Sequence, residues 1–397
     1  GFVIPADQAD FPTAVHFANA LIKNGVKVHR ATREFMVEGK RYPEGSLVVK
    51  TDQAYRPHIL DMFEPQDHPN DFAYPGGPPI PPYDATGWTL SFQMGVEADR
   101  ILNDFSGPFV EAPDLLPVPP GVVMGAGDST AGFLLSHEVN NAFSAVFSLL
   151  AQGSEVFWLG EAFTSGGITH PQGTFWIPGN ASMRSALEPL AQELGLTFVG
   201  AETEPNGPAM ELAKPRIGLW DRYGGSMPSG WVRFILDEFG MDFELVFPQR
   251  LDAGDLVDDF DVLIFPDGAI PALRPGGGGR YGGGGGSMDP ESIPAEYRDR
   301  LADVTMSKTV PQLEKFMEDG GAILTIGSST DLAYHLSLAI ADALVEKSPD
   351  GTEKPLPGEK YYVPGTVLQA GVDNTNPVAY GMPEKVDVFV NHSPVFR

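Results

Sequence analysis

The sequence contains no cysteine among its 397 residues. Disulfide bonds, zinc sites built on thiolates and cysteine nucleophiles are therefore excluded. Basic residues are also scarce, with 26 Lys and Arg against 53 Asp and Glu, which gives a net charge of −27 at pH 7. This charge would repel nucleic acid and anionic membrane surfaces, so we expect no nucleic-acid partner.

Long apolar runs are missing as well. No stretch approaches the roughly 18 consecutive apolar residues that a membrane-spanning helix needs, so no membrane span is predicted. The opening, Gly1-Phe-Val-Ile-Pro, has neither a Met nor a charged region and is not a signal peptide. Because a strand is predicted at once, we expect the sequence to start inside a longer polypeptide.

The ligand pattern of zinc peptidases is absent too. None of the eight histidines begins a His-x-x-Glu pair or a His-Glu-x-x-His motif. Glu64, Asp67, His68 and Asp71 together have the composition of a hard-metal cluster. Their position in a Pro-rich loop favours a solvated acidic turn, so we predict no metal ligands and no cofactor in this sequence.

Glycine and proline, in contrast, are abundant, at 46 and 37 residues, which indicates many turns and loops. The length predicts two or three domains. An apolar fraction of 42% is enough for a sizeable core.

The first half of the sequence repeats itself. A shift of 128 positions, without a gap, aligns 21–50 with 149–178 and gives seven identities in thirty, where roughly two are expected by chance. They are Leu21 with Leu149, Gly25 with Gly153, Val28 with Val156, Phe35 with Phe163, Gly39 with Gly167, Pro43 with Pro171 and Gly45 with Gly173. We interpret this as a duplicated βαββ unit, with copies at 1–62 and 128–205 joined by a Pro-rich connection at 63–127.

The last part, 213–397, has strands that alternate with helices. Four strand-like runs are predicted, at Ile217 to Trp220, Phe243 to Phe247, Val262 to Phe265 and Ala322 to Ile326. This alternation predicts an α/β domain with a doubly wound, mostly parallel sheet. Its Gly-rich insertion, 274–287, lacks the Gly-Lys-Ser/Thr ending of a phosphate-binding loop.

Polar and Gly-rich turns follow three of these strands. Loops at the carboxyl ends of parallel strands line the ligand crevice of such a sheet, so we predict a ligand-binding site there. The candidate residues are Asp221, Arg222, Tyr223, Gly224, Gly225, Ser226, Asp267, Gly268, Ser328 and Ser329.

Each candidate has a structural alternative. The turn at 221–226 could present N–H groups and Arg222 to an anion, or it could be a tight turn followed by a helix cap. Ser328 occupies the place of a strand-to-helix elbow nucleophile. The alternative is that Ser329 or Thr330 only caps a helix from Asp331 to Ala343. Arg56 and Arg184, which are equivalent across the repeat, could bind carboxylates, but structural ion pairs are favoured.

Several motifs together resemble a known family. The sequence is similar to the region after the catalytic domain in large bacterial members of the carboxypeptidase-A-like zinc peptidase family. The resemblance rests on Ala6-Asp-Gln, Glu64-Pro-Gln-Asp-His-Pro, Tyr74-Pro-Gly-Gly-Pro-Pro, Ile217-Gly-Leu-Trp-Asp-Arg-Tyr-Gly-Gly-Ser-Met-Pro-Ser-Gly-Trp, Phe265-Pro-Asp-Gly-Ala-Ile, Ile326-Gly-Ser-Ser-Thr and Asn391-His-Ser-Pro-Val-Phe. The last domain is in turn similar to the class I glutamine amidotransferase-like, flavodoxin-like fold.

The resemblance implies a non-catalytic accessory region of a secreted or periplasmic bacterial protein. Zinc and peptide hydrolysis would belong to an upstream peptidase domain, which would be the main partner of this region. The amidotransferase-like domain has Gly327-Ser328-Ser329 where that fold has its nucleophilic Cys, so glutamine hydrolysis is not expected. The alternative is a module that binds a small molecule, a peptide or a carbohydrate without glutaminase activity.

Overall fold

A computed structural model describes residues 1–67, 69–83, 88–125, 127, 130–179, 181–273, 289–391 and 393–397, apart from the side chains of residues 181, 182 and 299. The chain forms two compact units. Unit 1 comprises Gly1–Ala213 and Val363–Asn391, and unit 2 comprises Lys214–Tyr362 with the last residues, 393–397. The predicted Gly-rich insertion, 274–287, and His68 lie outside the described residues.

The first part of unit 1 is built on an antiparallel sheet. Its elements are β1 (Phe2–Ile4), α1 (Phe11–Lys23), β2 (Val28–Ala31), β3 (Phe35–Val37), β4 (Lys40–Tyr42), β5 (Leu47–Val49), α2 (Arg56–Phe63), α3 (Leu90–Gln93), β6 (Asp99–Arg100) and β7 (Phe109–Glu111). The strand order is β6-β1-β5-β2-β7, with antiparallel neighbours throughout, and β3 and β4 form a separate hairpin. The predicted first strand and helix are confirmed.

Helix α1 covers this sheet because its apolar residues share one side. Phe17, Ala18 and Leu21 are buried against the strands, and Phe17 meets Phe63 of α2 edge to face. Asp10 caps the helix by accepting a hydrogen bond from the Thr13 N–H at 3.0 Å.

The second part of unit 1 carries its own sheet. Its elements are β8 (Val122–Met124), β9 (Gly132–Leu135), α4 (Asn141–Ala151), β10 (Phe157–Leu159), β11 (Phe163–Ser165), β12 (Ile168–His170), β13 (Phe175–Pro178), α5 (Ala181–Leu194), β14 (Thr197–Ala201) and β15 (Ala209–Glu211). The strand order is β15-β10-β13-β9-β14-β8, in which only the β14–β8 pair is parallel, and β11 and β12 form a hairpin. The sheet is therefore mixed.

Unit 2 contains the expected parallel sheet. Its elements are β16 (Ile217–Trp220), α6 (Met227–Glu238), β17 (Glu244–Val246), α7 (Pro248–Asp252), β18 (Val262–Phe265), α8 (Thr309–Glu318), β19 (Ala322–Thr325), α9 (Leu332–His335), β20 (Val345–Lys347) and β21 (Glu353–Pro355). The first four strands lie in the order β17-β16-β18-β19, and all neighbours are parallel. Short 3-10 helices cover Leu256–Asp258, Pro290–Ser292, Ala295–Arg300 and Gly327–Asp331.

Close packing of side chains from the two neighbouring strands explains one glycine of β16. A Cβ on Gly218 would lie 2.6 Å from Leu263 Cδ2 and 2.8 Å from Val246 Cγ2, which is too close for any side chain. The core on this side joins Leu263 and Phe265 to Leu251 of α7 and Leu313 of α8.

The last hairpin, β22 (Thr366–Gly371) with β23 (Lys385–Val390), belongs to unit 1. A 3-10 helix, Pro377–Ala379, lies in its connection. The sequence-based boundary had placed 363–391 in the last domain, 213–397. The unit that this hairpin packs against is a long-range property, which local pattern does not contain.

Candidate functional site

The predicted site residues lie on three loops at the carboxyl edge of the parallel sheet. Residues 221–226 follow β16, 266–270 follow β18, and 326–331 follow β19. Because β18 pairs with both β16 and β19, its loop lies between the other two. Sequence reasoning therefore placed these residues at one edge of one sheet.

The loop after β16 is a turn held by Asp221. The buried Oδ1 atom accepts hydrogen bonds from the N–H groups of Arg222 and Ser226, both at 2.8 Å. Gly224 and Gly225 have φ values of +81° and +80°, a conformation that favours glycine. Ser226 stands at the start of α6 without a side-chain cap, while the Ser229 hydroxyl donates to the Trp220 carbonyl at 2.7 Å. Asp221 thus shapes the turn.

Ser328 and Asp267 join the loops after β18 and β19. Asp267 Oδ1 accepts hydrogen bonds from the N–H of Ser328 at 2.8 Å and from its hydroxyl at 2.7 Å. The same hydroxyl oxygen accepts from the Gly268 N–H at 3.0 Å. This hydroxyl already has a donor and an acceptor within the protein.

Ser329 joins the same loops at a deeper level. Its buried hydroxyl donates to the Pro266 carbonyl at 2.5 Å. It accepts from the N–H groups of Ala269 at 3.0 Å and Ile270 at 3.3 Å. Both serine hydroxyls therefore hold the loop after β18 against the loop after β19.

His335 lies close to this edge but contacts a different group. Its Nε2 atom is 2.6 Å from the Pro271 carbonyl oxygen, in hydrogen-bond contact. The predicted helix from Asp331 to Ala343 is wrong in its extent, because α9 ends at His335 and Ser337 takes a positive φ of +54°. The main chain that follows α9 therefore leaves the helical path.

Sequence reasoning missed three buried polar atoms near the same edge. Trp220 Nε1, Gln249 Oε1 and Arg298 Nε are buried and have no hydrogen-bond partner among the described residues. The segment that carries Arg298 lies next to β16 and α7, because the Arg300 carbonyl accepts from the Tyr223 N–H at 3.3 Å and the Arg298 carbonyl from Gln249 Nε2 at 3.5 Å.

Two aromatic rings lie beside the guanidinium of Arg300 in the same segment. Its Cζ atom lies 4.8 Å from the ring centre of Phe247 and 4.9 Å from that of Tyr297. Tyr297 in turn approaches Tyr223, with ring centres 6.4 Å apart. In the sequence, only the run Tyr297-Arg-Asp-Arg could have indicated these contacts, since the residues that it contacts in α7 and in the loops next to β16 and α7 are distant in sequence.

Unit 1 contains an open cleft of about 420 Å³. Stacked rings of Phe2 and Phe63, with centres 4.2 Å apart, lie at its base. At its rim, Arg100 Nε lies 2.8 Å from Glu64 Oε1, an ion-pair contact without hydrogen-bond alignment. Its remaining lining residues are Pro65, Asp67, Ser91, Phe92, Val96 and Ala98.

The predicted acidic cluster falls partly on this cleft. Glu64 and Asp67 line it, Asp71 is exposed, and His68 is outside the described residues. Within the parts of the chain that the structure describes, no group of three or more His, Asp and Glu side chains is arranged to hold a metal ion. Arg184 forms an exposed i,i+4 ion pair with Glu188 at 2.8 Å, as the structural interpretation expected.

His137 is a buried imidazole at the turn after β9. Neither ring nitrogen has an aligned hydrogen-bond partner among the described residues. The backbone of Gly381 approaches so closely that a Cβ there would lie 1.5 Å from His137 Nε2. Burial lowers the pKa of His137 below its usual range, against smaller opposing effects of nearby backbone groups and Glu138.

Comparisons of the chain with protein-family models, with curated proteins and with solved structures found no match. None of the helices described here is long and apolar enough to cross a lipid bilayer.

Proposed function

We propose that this chain is a non-catalytic accessory region of a secreted, zinc-carboxypeptidase-like protein. The proposal rests on the hydrogen bonds made by the two serine hydroxyls in the loop after β19. Ser328 is bonded to Asp267 and Gly268, and Ser329 is bonded to the backbone of the neighbouring loop. A nucleophilic hydroxyl needs an adjacent base, and the ring of His335 is bonded to the Pro271 carbonyl instead.

The motif resemblance supports the same proposal. It covers both units and includes the turn after β16 and the elbow after β19. By this resemblance, unit 2 is an amidotransferase-like, flavodoxin-like domain, and the strand order β17-β16-β18-β19 is compatible with that fold. Zinc and peptide cleavage would be supplied by an upstream peptidase domain.

We also propose that the two parts of unit 1 are copies of one ancestral unit. Shifting the His29–Val48 strand pair by 128 positions gives the observed Phe157–Trp176 pair, and the same shift turns Phe35–Tyr42 into Phe163–His170. The side chains agree as well: the Ser46 hydroxyl donates to the Pro43 carbonyl at 2.8 Å, and the Thr174 hydroxyl donates to the Pro171 carbonyl at 2.7 Å. These equivalences support a scaffold made by duplication.

The accessory role is tested by assaying the chain for carboxypeptidase activity with added zinc and for glutaminase activity. We expect no turnover in either assay. Ser328→Ala should reduce stability without changing these rates. Turnover that Ser328→Ala abolishes, while the variant remains folded, would show that the elbow is catalytic.

The alternative function is binding of a small molecule or peptide at the carboxyl edge of the parallel sheet. Three buried atoms without a partner among the described residues favour it: Trp220 Nε1 and Arg298 Nε are donors, and Gln249 Oε1 is an acceptor. Buried polar atoms without partners are costly, and a ligand or ordered water would satisfy them. The ligand class expected there combines an acceptor, such as a carboxylate or hydroxyl, with a donor.

A thermal-shift screen with amino acids, short peptides and monosaccharides tests this alternative. A stabilising compound should lose its effect in Gln249→Ala and in the double variant Arg222→Ala with Asp267→Ala. Gln369→Ala, an exposed change in unit 1, is the matched control. Binding that survives both edge variants places the ligand elsewhere, with the Phe2–Phe63 cleft as the next site to test.

A further inference from the structure

Helix α6 has an apolar surface on the side that faces away from its sheet. Ser229 and Leu236 are its buried residues. Met227, Trp231 and Phe234 are exposed by 60%, 64% and 54% of their surface. At about 100° per residue, these three lie within roughly 60° of one another and opposite Ser229 and Leu236.

Such a distribution is typical of a helix that is packed on two sides. A helix that only covers a sheet has one apolar stripe and a polar outer face. Ile235, which is 55% exposed, widens the outer stripe. The rings of Trp231 and Phe234 already contact each other edge to face, with centres 6.3 Å apart. This outer apolar stripe, Met227, Trp231, Phe234 and Ile235, is therefore suited to protein contact.

The two ends of α6 are electrostatically incomplete. Its first turn has no acidic residue and no side-chain cap, although partial positive charge accumulates there. Its last turn has no basic residue and instead ends with Asp237 and Glu238, next to partial negative charge. The acidic last turn of α6 would therefore be attracted to the first turn of a second α6 helix, where the partial charge is positive.

We propose that two copies of this chain form a symmetric dimer through antiparallel pairing of their α6 helices. A single twofold register satisfies both the apolar and the charged residues. When the axis passes between residues 232 and 233, Trp231 lies opposite Phe234 of the partner subunit, and Met227 lies opposite Glu238 of the partner subunit. The contact is isologous, which is the commonest arrangement of homodimers.

The charge distribution also favours a second copy of this chain as the partner, in the antiparallel orientation. A net charge of −27 makes most encounters between copies repulsive, so a stable contact needs local attraction. Antiparallel pairing places each acidic helix end beside the first turn of the partner helix. Parallel pairing would bring the acidic ends together.

Sedimentation of the intact chain over a wide range of concentrations tests the dimer. We expect twice the chain mass at high concentration and, for Phe234→Glu, association weakened by roughly tenfold or more. Leu102→Glu alters a large exposed residue of unit 1 and should leave association unchanged. A wild-type chain that stays monomeric, or a dimer that Phe234→Glu does not weaken, would overturn the proposal.

The absence of cysteine permits a second test of the register. Met227→Cys combined with Glu238→Cys should give a disulfide-linked dimer on mild oxidation. Within one helix these positions are roughly 16 Å apart, so an intramolecular bond is excluded. Each single variant should remain uncrosslinked, whereas efficient crosslinking of the Met227→Cys variant alone would indicate parallel pairing and contradict the register.

Discussion

Removing the buried hydroxyl of Ser329 should destabilise the contact between the loops after β18 and β19 in the candidate site. Ser329→Ala deletes the oxygen that accepts from the N–H groups of Ala269 and Ile270 and donates to the Pro266 carbonyl. Ser329 is fully buried, and Ala269 and Ile270 are nearly so. The substitution leaves the buried Ile270 N–H without its acceptor, whereas the Ala269 N–H keeps a hydrogen bond of 3.2 Å to the Pro266 carbonyl.

The size of the effect follows from this arrangement. A buried donor that loses its partner costs about 1–3 kcal/mol, and Ala leaves too little space for a replacement water. The one orphaned donor, with the lost bond to the Pro266 carbonyl, gives an expected loss of about 2 kcal/mol in the unfolding free energy of unit 2. For a unit of this size, the corresponding decrease in Tm is about 4–8 °C.

Two measurements check this prediction. Calorimetry should show a lower transition temperature for unit 2, while the transition of unit 1 is retained. Hydrogen exchange should show faster exchange of the amide at 270, because this amide loses its acceptor. Exposed Ser307→Ala is the matched control and should change neither quantity.

A Ser329→Ala variant that is as stable as the wild type and protects the amide at 270 equally well would contradict this prediction. That result would mean that the hydroxyl does not hold the two loops together. The serine would then be available for another role, and the accessory function proposed for unit 2 would lose its principal support.

Three further predictions concern the turn after β16 and the turn after β9. Asp221→Ala should cost about 2–3 kcal/mol, because the N–H groups of Arg222 and Ser226 lose the carboxylate oxygen that accepts from both of them. Asp221→Asn retains an acceptor and should recover part of the loss; denaturant unfolding measures both. The unfolding free energy should fall as pH drops below about 6.5, because burial lowers the folded pKa of His137 and the unfolded chain then binds more protons; the decline should level off below the folded pKa. His137→Phe should remove part of this pH dependence, and a further part is due to His170, because burial lowers the pKa of that histidine as well. If the unfolding free energy of His137→Phe depends on pH as strongly as that of the wild type, the assignment to His137 is contradicted. Gly381→Ala should displace the turn that packs on the His137 ring, and equal stability of this variant and the wild type would contradict the close approach.

Local pattern was sufficient for many of the elements. Four apolar residues between turn residues predicted β16 and β18 with their observed bounds, because a fully buried parallel strand needs a short continuous apolar run. The start of α1 at Phe11 was predicted for a similar reason, since its apolar spacing is helical. Each of these signals lies within a few neighbouring residues.

Helix length after β19 was not predictable in the same way. The run after Asp331 is apolar and contains good helix formers, yet α9 stops at His335 and Ser337 adopts a left-handed conformation. The chain beyond it instead pairs with distant residues: Ala341 exchanges backbone hydrogen bonds with Arg397, and the Ala343 N–H donates to the Val395 carbonyl. Contacts this far apart in sequence outweighed local propensity.

By itself, the sequence determined the alternation of strands and helices in unit 2 and brought Asp221, Asp267 and Ser328 to one edge of a parallel sheet, because strand direction alone decides where such loops gather. Only the tertiary structure decided which hydrogen bonds these side chains make. The partners of Ser328 and Ser329 lie about sixty positions away in sequence, and the apolar side of α6 becomes an outer surface only once Ser229 and Leu236 are known to face the sheet. Hydrogen bonding and burial depend on spatial neighbours, and a local pattern of residue types does not contain them.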